Sequence, residues 1–400
     1  MRRYDIHLEV QLFSRKWIAD AIDPVLPLSS TCFHPQSVAR SRHNSTLANA
    51  PAYVQLQAGI GLAYGNDCFD FASTIPLAPL PGMQLPTHTI FHTYGRVDLD
   101  PLGERQISLL HSLLAMQDRE STSVILWSNP DDPTRPLLRD SPLLAKLLRL
   151  YGPHRFSVRE VDKGALAAGT PMEGSAMLDM ADEKAWLDGD LVWILVLWAE
   201  GGIWVDMDTI MTGRDVRVLG ESEWVTQWDC YGPLILSSGL SRASRADTLR
   251  LEDKPYQPLN GAMMHFHQHS PFLCEMLHAM AHDAPPRRGT TNWGLFLYHK
   301  VWRRLVAHGI APFKILPYCF TDGVLCRLDN RLPDPFASRD SSWGQGRGAA
   351  LRRKFDSVWA VHLHNQWDRH LPQKGWVRKL ILDKVNAAVE RYRKAKEAAG

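Results

Sequence analysis

A chain of 400 residues, 45% hydrophobic and 22% charged, carries enough apolar mass for a sizeable core, which excludes disorder throughout. Its length fits two average domains or one α/β catalytic domain with extensions. Forty-five basic against 43 acidic residues leave a formal charge of +2, so no bulk attraction draws the chain to nucleic acid or an anionic membrane. Any anionic ligand has to be held by a local site. The six cysteines (Cys32, Cys68, Cys230, Cys274, Cys319, Cys326) include no CxxC pair, which removes zinc-ribbon and thioredoxin-type readings and permits disulfides without requiring them. Fourteen tryptophans and ten tyrosines suit sugar or base stacking as well as ordinary packing.

In chain order, the first twenty residues break every apolar run with a charge, so neither a signal-peptide core nor a membrane anchor is expected there. Residues 20–87 are rich in Pro, Ser, Ala and Gly, and Pro76, Pro79, Pro81 and Pro86 forbid regular structure near their end. Residues 1–87 therefore read as an irregular extension that wraps or trails the domain; it contains a sequon, Asn44-Ser45-Thr46, which matters only in a secretory compartment. The pattern then predicts a strand over 89–95 (TIFHTYG), an amphipathic helix over 104–118 and a buried strand over 123–129, a βαβ opening that implies a mostly parallel sheet flanked by helices. A helix from Trp186 to Glu200 follows, stopped by Gly201 in a left-handed conformation, then a strand from Ile203 to Met207. Its apolar stretch Leu191–Ala199 is too short to cross a bilayer. SSWGQGRG (341–348) reads as a flexible loop, and Trp376, Val377, Leu380, Ile381, Val385 and Val389 mark 374–398 as a basic amphipathic helix docked on the domain. The domains expected are thus 1–87, a catalytic α/β unit at 88–372 and a terminal helix at 373–400.

The segment GGIWVDMD (201–208) runs an apolar strand into two acids. Strand alternation puts Ile203, Val205 and Met207 on one face, read as core, and Trp204, Asp206 and Asp208 on the other. Carboxylates two residues apart in a strand are separated by about 7 Å, and burying both without a counter-charge costs several kcal/mol, roughly. A hard divalent cation resolves the conflict; Mg2+ or Mn2+ takes one or two protein carboxylates together with substrate phosphates. Both aspartates reach one ion directly only if the chain bends after Asp206. Otherwise one acts through water or on a sugar hydroxyl.

Other constellations point elsewhere. His265, His267 and His269 would line one side of a strand as a transition-metal site, but Ser270-Pro271 end the strand, so partly exposed histidines are expected instead. DMDTI also approximates the D-x-D-x-T/V nucleophile motif of haloacid-dehalogenase phosphatases, whose first aspartate attacks phosphate. That class needs a later DD or GDxxxD acidic pair, which the chain lacks after Asp208.

The sequence resembles glycosyltransferase family 32, the DXD-containing sugar transferases that include α-1,4-galactosyltransferase and α-1,4-N-acetylglucosaminyltransferase relatives. The matching pieces, in the family's order, are IFHTYG (90–95), DLVWILVLWAEGGIWVDMD (190–208), NGAMMHF (260–266) and AVHLHNQW (360–367), the second being the specific one. The resemblance implies a GT-A nucleotide-sugar-binding fold and a retaining hexosyltransferase that uses Mn2+ (or Mg2+), a UDP- or GDP-hexose donor and a glycan or glycolipid acceptor. It implies Asp206 and Asp208 as the metal and donor-phosphate pair, with His362 as a third metal or diphosphate contact. Asp190 then holds the donor, His92 and Tyr94 approach the nucleotide, Asn260 and Gly261 approach the sugar, and Trp204 shares the aspartates' face. Relatives are typically Golgi membrane proteins, so the resemblance implies the Golgi or secretory lumen. With no anchor read at this start, the expectation is that the chain is cytoplasmic, or that its true start is missing, or that another protein retains it. The match departs at Trp193, where the family carries arginine three residues after the helix aspartate; a catalytically impaired binding protein is the alternative unless Arg96 or Arg287-Arg288 supplies the cation.

Overall fold

The computed structural model describes residues 28–29, 31–33, 69, 72, 75–130 (without 77, 83, 84, 97 and 99–101), 141–227, 259–323 (without 284, 287, 309 and 317), 332–337 and 348–399. The sequon at 44–46, Arg287 and residues 341–347 of the SSWGQGRG segment lie outside them; Gly348 opens a helix.

The βαβ opening forms as expected. Strand β1 (Thr89–Gly95) and β2 (Thr122–Ser128) pair in parallel and are joined by α1 (Glu104–Met116), which ends two residues earlier than its periodicity suggests. Helix α2 (Pro142–Tyr151) leads to β3 (Phe156–Glu160), parallel to β2, and a short α3 (Lys163–Ala167) precedes α4 (Trp186–Glu200). Beyond α4 lie β4 (Gly202–Val205), β5 (Thr209–Met211), β6 (Trp224–Gln227) and β7 (Leu259–Phe266). Helices α5 (Pro271–His282) and α6 (Leu295–Ala307), strand β8 (Lys314–Leu316), helix α7 (Gly348–Phe355), strand β9 (Ala360–His362) and helix α8 (Asp383–Ala399) complete the chain.

The main sheet has seven strands in the order β3-β2-β1-β4-β7-β6-β8. All its pairs are parallel except those of β7, which runs antiparallel to both β4 and β6. This is an α/β fold built on a mostly parallel mixed sheet. One core layer packs Phe91, Val124, Ile203 and Val205 against α1 and the C-terminal Ile381, Val385 and Val389, so the terminal helix docks as its apolar stripe implies. The opposite layer packs Trp204, Met264 and Phe266 against α4, α5 and α6.

Both faces of β4 are therefore apolar core, which corrects the expectation of one core face and one carboxylate face. The strand also ends at Val205 instead of Met207, so Asp206 and Asp208 lie beyond it in a turn closed by Thr209 N–H donating to Asp206 O at 2.9 Å. Helix α4 is apolar on every side because it is covered on every side: Leu191, Val192, Ile194, Leu195, Val196 and Leu197 are all buried. Among the described residues no helix is long and apolar enough to cross a membrane.

The glycine pair makes the sharp passage from α4 to β4. Gly201 has φ 66° and ψ −174°, a region closed to other residues, where a left-handed helical stop was expected. A Cβ there would lie 2.5 Å from the Gln268 nitrogen, and one on Gly202 (φ 105°) would lie 2.4 Å from the Ile90 carbonyl oxygen. The early chain is fastened to this framework: a disulfide joins Cys32 to Cys274 on α5, and the Ser29 N–H donates to buried Glu275 at 2.9 Å.

Candidate active site

Two pairings build the site at the end of β4. Asp206 N–H donates to Ala262 O of β7 at 2.8 Å, which sets Asp206 beside Asn260 and Gly261. Strand β5 pairs antiparallel with β9, Thr209 opposite His362, and Leu363 N–H donates to Asp208 O at 2.9 Å. The turn after Asp206 is the bend that two carboxylates need in order to reach one ion. Oxygen atoms of Asp206 and Asp208 and a ring nitrogen of His362 all lie within 4.8 Å of one another.

The electrostatics of this cluster follow from burial. Burial, then the Asp208 carboxylate, push the Asp206 carboxyl up to about 7, although the Trp204 indole N–H donates to its Oδ1 at 2.7 Å. Burial acts the same way on Asp208, but the His362 imidazolium 3.3 Å away and the Asn365 N–H hold it below the usual carboxylate range. Burial disfavours the charged form of His362, yet Asp208 and Asp322 outweigh it and raise its pKa well above the ordinary value. A proton on His362 thus compensates charge that a divalent cation could neutralise in its place. Two carboxylates and an imidazole with ligand atoms this close are a donor set that a divalent cation could take.

Residues that sequence reasoning missed complete the cluster. Asp322 is 1% exposed and touches His364 at 2.6 Å, His362 at 3.6 Å and the Asn260 amide at 3.0 Å. His364 and Asn365 both have positive φ (56° and 54°), an unusual pair without glycine, and this turn aims the Asn365 N–H at Asp208. The alternation of His362 with His364 was a visible signal. Asp322, in an unremarkable FTDG segment, had none.

The remaining residues fall into two groups. Asp190 lies one turn above Trp193 on α4; it is 4% exposed, and its Oδ2 has no hydrogen-bond partner among the described residues. Burial, then the Asp206 charge, raise its pKa well above the ordinary carboxylate value. Around Gly261 the packing is tight: a Cβ would lie 2.8 Å from the Trp193 ring and 2.9 Å from the Tyr298 hydroxyl. Trp204 stands edge-on to Trp193 at 5.5 Å, so the indole face is core and its N–H serves Asp206.

His92 and Tyr94 are set back from the aspartates. Fully buried His92 accepts from the Trp127 indole at 3.1 Å and donates to Gly201 O at 2.8 Å, so both ring nitrogens are engaged in holding the glycine turn. Tyr94 lies against Asp188, burial and that carboxylate both disfavouring its ionisation. Arg96 is not free to replace the arginine absent at Trp193: its guanidinium is occupied by Asp98, Asp188 and the Asp182 carbonyl. His265 is buried in β7, its Nδ1 2.8 Å from Ser222 O, and with His267 and His269 it forms no metal-ligand group among the described residues.

No protein-family profile matches the chain, and no curated protein matches it in sequence. Its fold is similar to solved glycosyltransferases. The bifunctional glycosyltransferase WbbM aligns over 78% of this chain and 51% of its own at 11% identity, TM-score 0.38. The galactosyltransferase LgtC, solved with donor and acceptor sugar analogs, aligns over 76% and 95% at 10% identity, TM-score 0.34. The PaToxG glycosyltransferase aligns over 63% and 86% at 12% identity, TM-score 0.34. This chain spans about half the length of WbbM.

Proposed function

We propose that this protein is a metal-dependent glycosyltransferase of the GT-A type, akin to family 32, that moves a hexose from a UDP- or GDP-sugar to a glycan or glycolipid acceptor with retention of anomeric configuration. The observation that carries the reading is the convergence of Asp206, Asp208 and His362 at the exit of a buried strand, with ligand atoms within 4.8 Å. In this reading the three residues hold Mn2+, which when bound offsets the negative charge that builds on the departing nucleoside diphosphate. Trp204 orients Asp206 through its indole N–H, and the Asn365 N–H orients Asp208. The Oδ2 of Asp190, without a partner among the described residues, is a buried oxygen that a sugar hydroxyl satisfies. His92 acts at one remove by holding the Gly201 turn, and Tyr94 through the Asp188–Arg96 network at the start of α4. A Golgi or other secretory-lumen location belongs to the same reading, supported by the Cys32–Cys274 disulfide, which an oxidising compartment sustains.

A thermal-shift screen of UDP- and GDP-sugars with Mn2+ tests the function. One donor at about 100 times its Kd should stabilise the protein by about 2.7 kcal/mol, and EDTA should abolish the effect. Folded protein that responds to no nucleotide sugar with Mn2+ refutes it.

A second reading, a donor-binding protein with impaired turnover, is favoured by Trp193 together with the full engagement of Arg96 by acidic groups. It predicts donor binding with little transfer.

A further inference from the structure

The carboxylate of Asp322 lies outside the Asp206–Asp208–His362 cluster but against the far side of its imidazole. His362 presents Nε2 to Asp208 Oδ2 at 3.3 Å, and among the described residues its Nδ1 has two polar side-chain neighbours, the Asn260 amide nitrogen at 3.2 Å and Asp322 Oδ2 at 3.6 Å. An amide nitrogen only donates. An imidazole that ligates a metal through Nε2 carries its proton on Nδ1, and of these two neighbours only Asp322 can accept it. Asn260 cannot reverse its role, because its Oδ1 already accepts from the Ala262 N–H at 2.8 Å while its amide donates to Asp322 at 3.0 Å. The other Asp322 oxygen is held by His364 Nε2 at 2.6 Å, and the His362 N–H donates to Thr321 O at 3.1 Å, so backbone and side chains both fix Asp322 behind the ring.

We propose that Asp322, clamped by His364 and Asn260, is a positioning residue that holds His362 in the tautomer and orientation presenting Nε2 to the ion shared with Asp206 and Asp208. This rests on the metal-dependent reading above. It adds a carboxylate–histidine relay that reaches neither donor sugar nor acceptor. Asp322, His362 and His364 also bring ligand atoms within 4.8 Å of one another, so direct metal binding by that trio is the rival arrangement.

Mn2+ titration followed by electron paramagnetic resonance, without donor, separates these cases, with thermal melts in EDTA as the control for folding. Asp322→Asn should weaken Mn2+ binding about 10- to 100-fold, the usual cost of losing an outer-shell partner. Asp322→Glu, which keeps an acceptor, should recover part of the loss. If Asp322→Asn fails to fold, His364→Gln, altered at the cluster's more exposed edge, should still weaken Mn2+ binding several-fold. Wild-type affinity in a folded Asp322→Asn or His364→Gln protein overturns the relay. So does Mn2+ binding that survives the Asp206→Asn/Asp208→Asn double substitution, since the rival trio then holds the ion. Wild-type protein that takes up no Mn2+ defeats the metal-site reading and this inference with it, whereas normal wild-type uptake with an insensitive Asp322→Asn defeats the inference alone.

Discussion

Trp193 follows Asp190 by three residues, so both side chains leave α4 on one face, and its ring packs against Trp204 and over Gly261. That packing explains why a tryptophan is tolerated there: it fills apolar space beside an acid that has no cationic partner among the described residues. An arginine at the position would place a guanidinium beside the raised Asp190 carboxyl and near Asp206. Trp193→Arg should therefore increase turnover of a nucleotide-sugar substrate, at a packing cost of about 3 kcal/mol, the usual range for emptying an aromatic site. Steady-state kinetics on the folded variant checks this; unchanged kcat in an active enzyme shows that the position does not limit the reaction. Asp208→Asn makes the complementary case. It removes the charge paired with His362 and should abolish Mn2+-dependent donor stabilisation in the thermal-shift assay, while a purely architectural fold keeps whatever donor binding it has.

The α4–β4 passage was the most legible element, because helix length, glycine pair, short strand and acids are all local signals. The two glycines do different work in the structure: Gly201 supplies a backbone conformation that side chains forbid, and Gly202 lets β4 approach the Ile90 carbonyl of β1. Gly202→Ala should cost more than about 3 kcal/mol, combining positive-φ strain with a backbone clash, and Gly201→Ala should be comparably damaging. Urea denaturation measures both; a loss below about 1 kcal/mol would mean that the passage relaxes easily. The partner side of the site was less legible. The pairing of β5 with β9 joins residues some 150 positions apart, and no periodicity encodes such a register. The strand also stopped short of its apolar pattern, since the turn at Asp206 answers to the β7 and β9 contacts instead of to local propensity. His92 could be read from sequence only as a first-strand residue. Its service to the Gly201 carbonyl depends on β1 lying parallel to β4, with His92 opposite Trp204.

Across the whole molecule, two core layers enclose the central strands and trap ionisable groups whose responses to pH oppose each other. Burial lowers His92 from 6.5 to about 4, the Gly201 carbonyl only partly restoring it, and burial with His267 does the same to His265. A histidine with a depressed folded pKa lets the unfolded chain bind more protons, so its contribution is full above pH 6.5 and is lost as pH falls toward 4. Asp206, raised to about 7, and Asp190, raised well above the ordinary value, have the opposite sign: the folded state keeps their protons, so in the same window they favour folding more as pH falls. His362, raised by Asp208 and Asp322, stabilises fully below 6.5 and loses its effect only as pH climbs toward its folded pKa. The wild-type stability profile between pH 4 and 6.5 should consequently be shallow through cancellation. Single substitutions expose the hidden terms. The destabilisation caused by His92→Gln, measured by urea denaturation in EDTA, should be greatest above pH 6.5 and should shrink by on the order of 3 kcal/mol by pH 4, because only the wild type pays for keeping that ring neutral. A destabilisation independent of pH would mean that His92 is protonated inside the fold, and the Trp127–His92–Gly201 chain of hydrogen bonds would then need a different arrangement of protons.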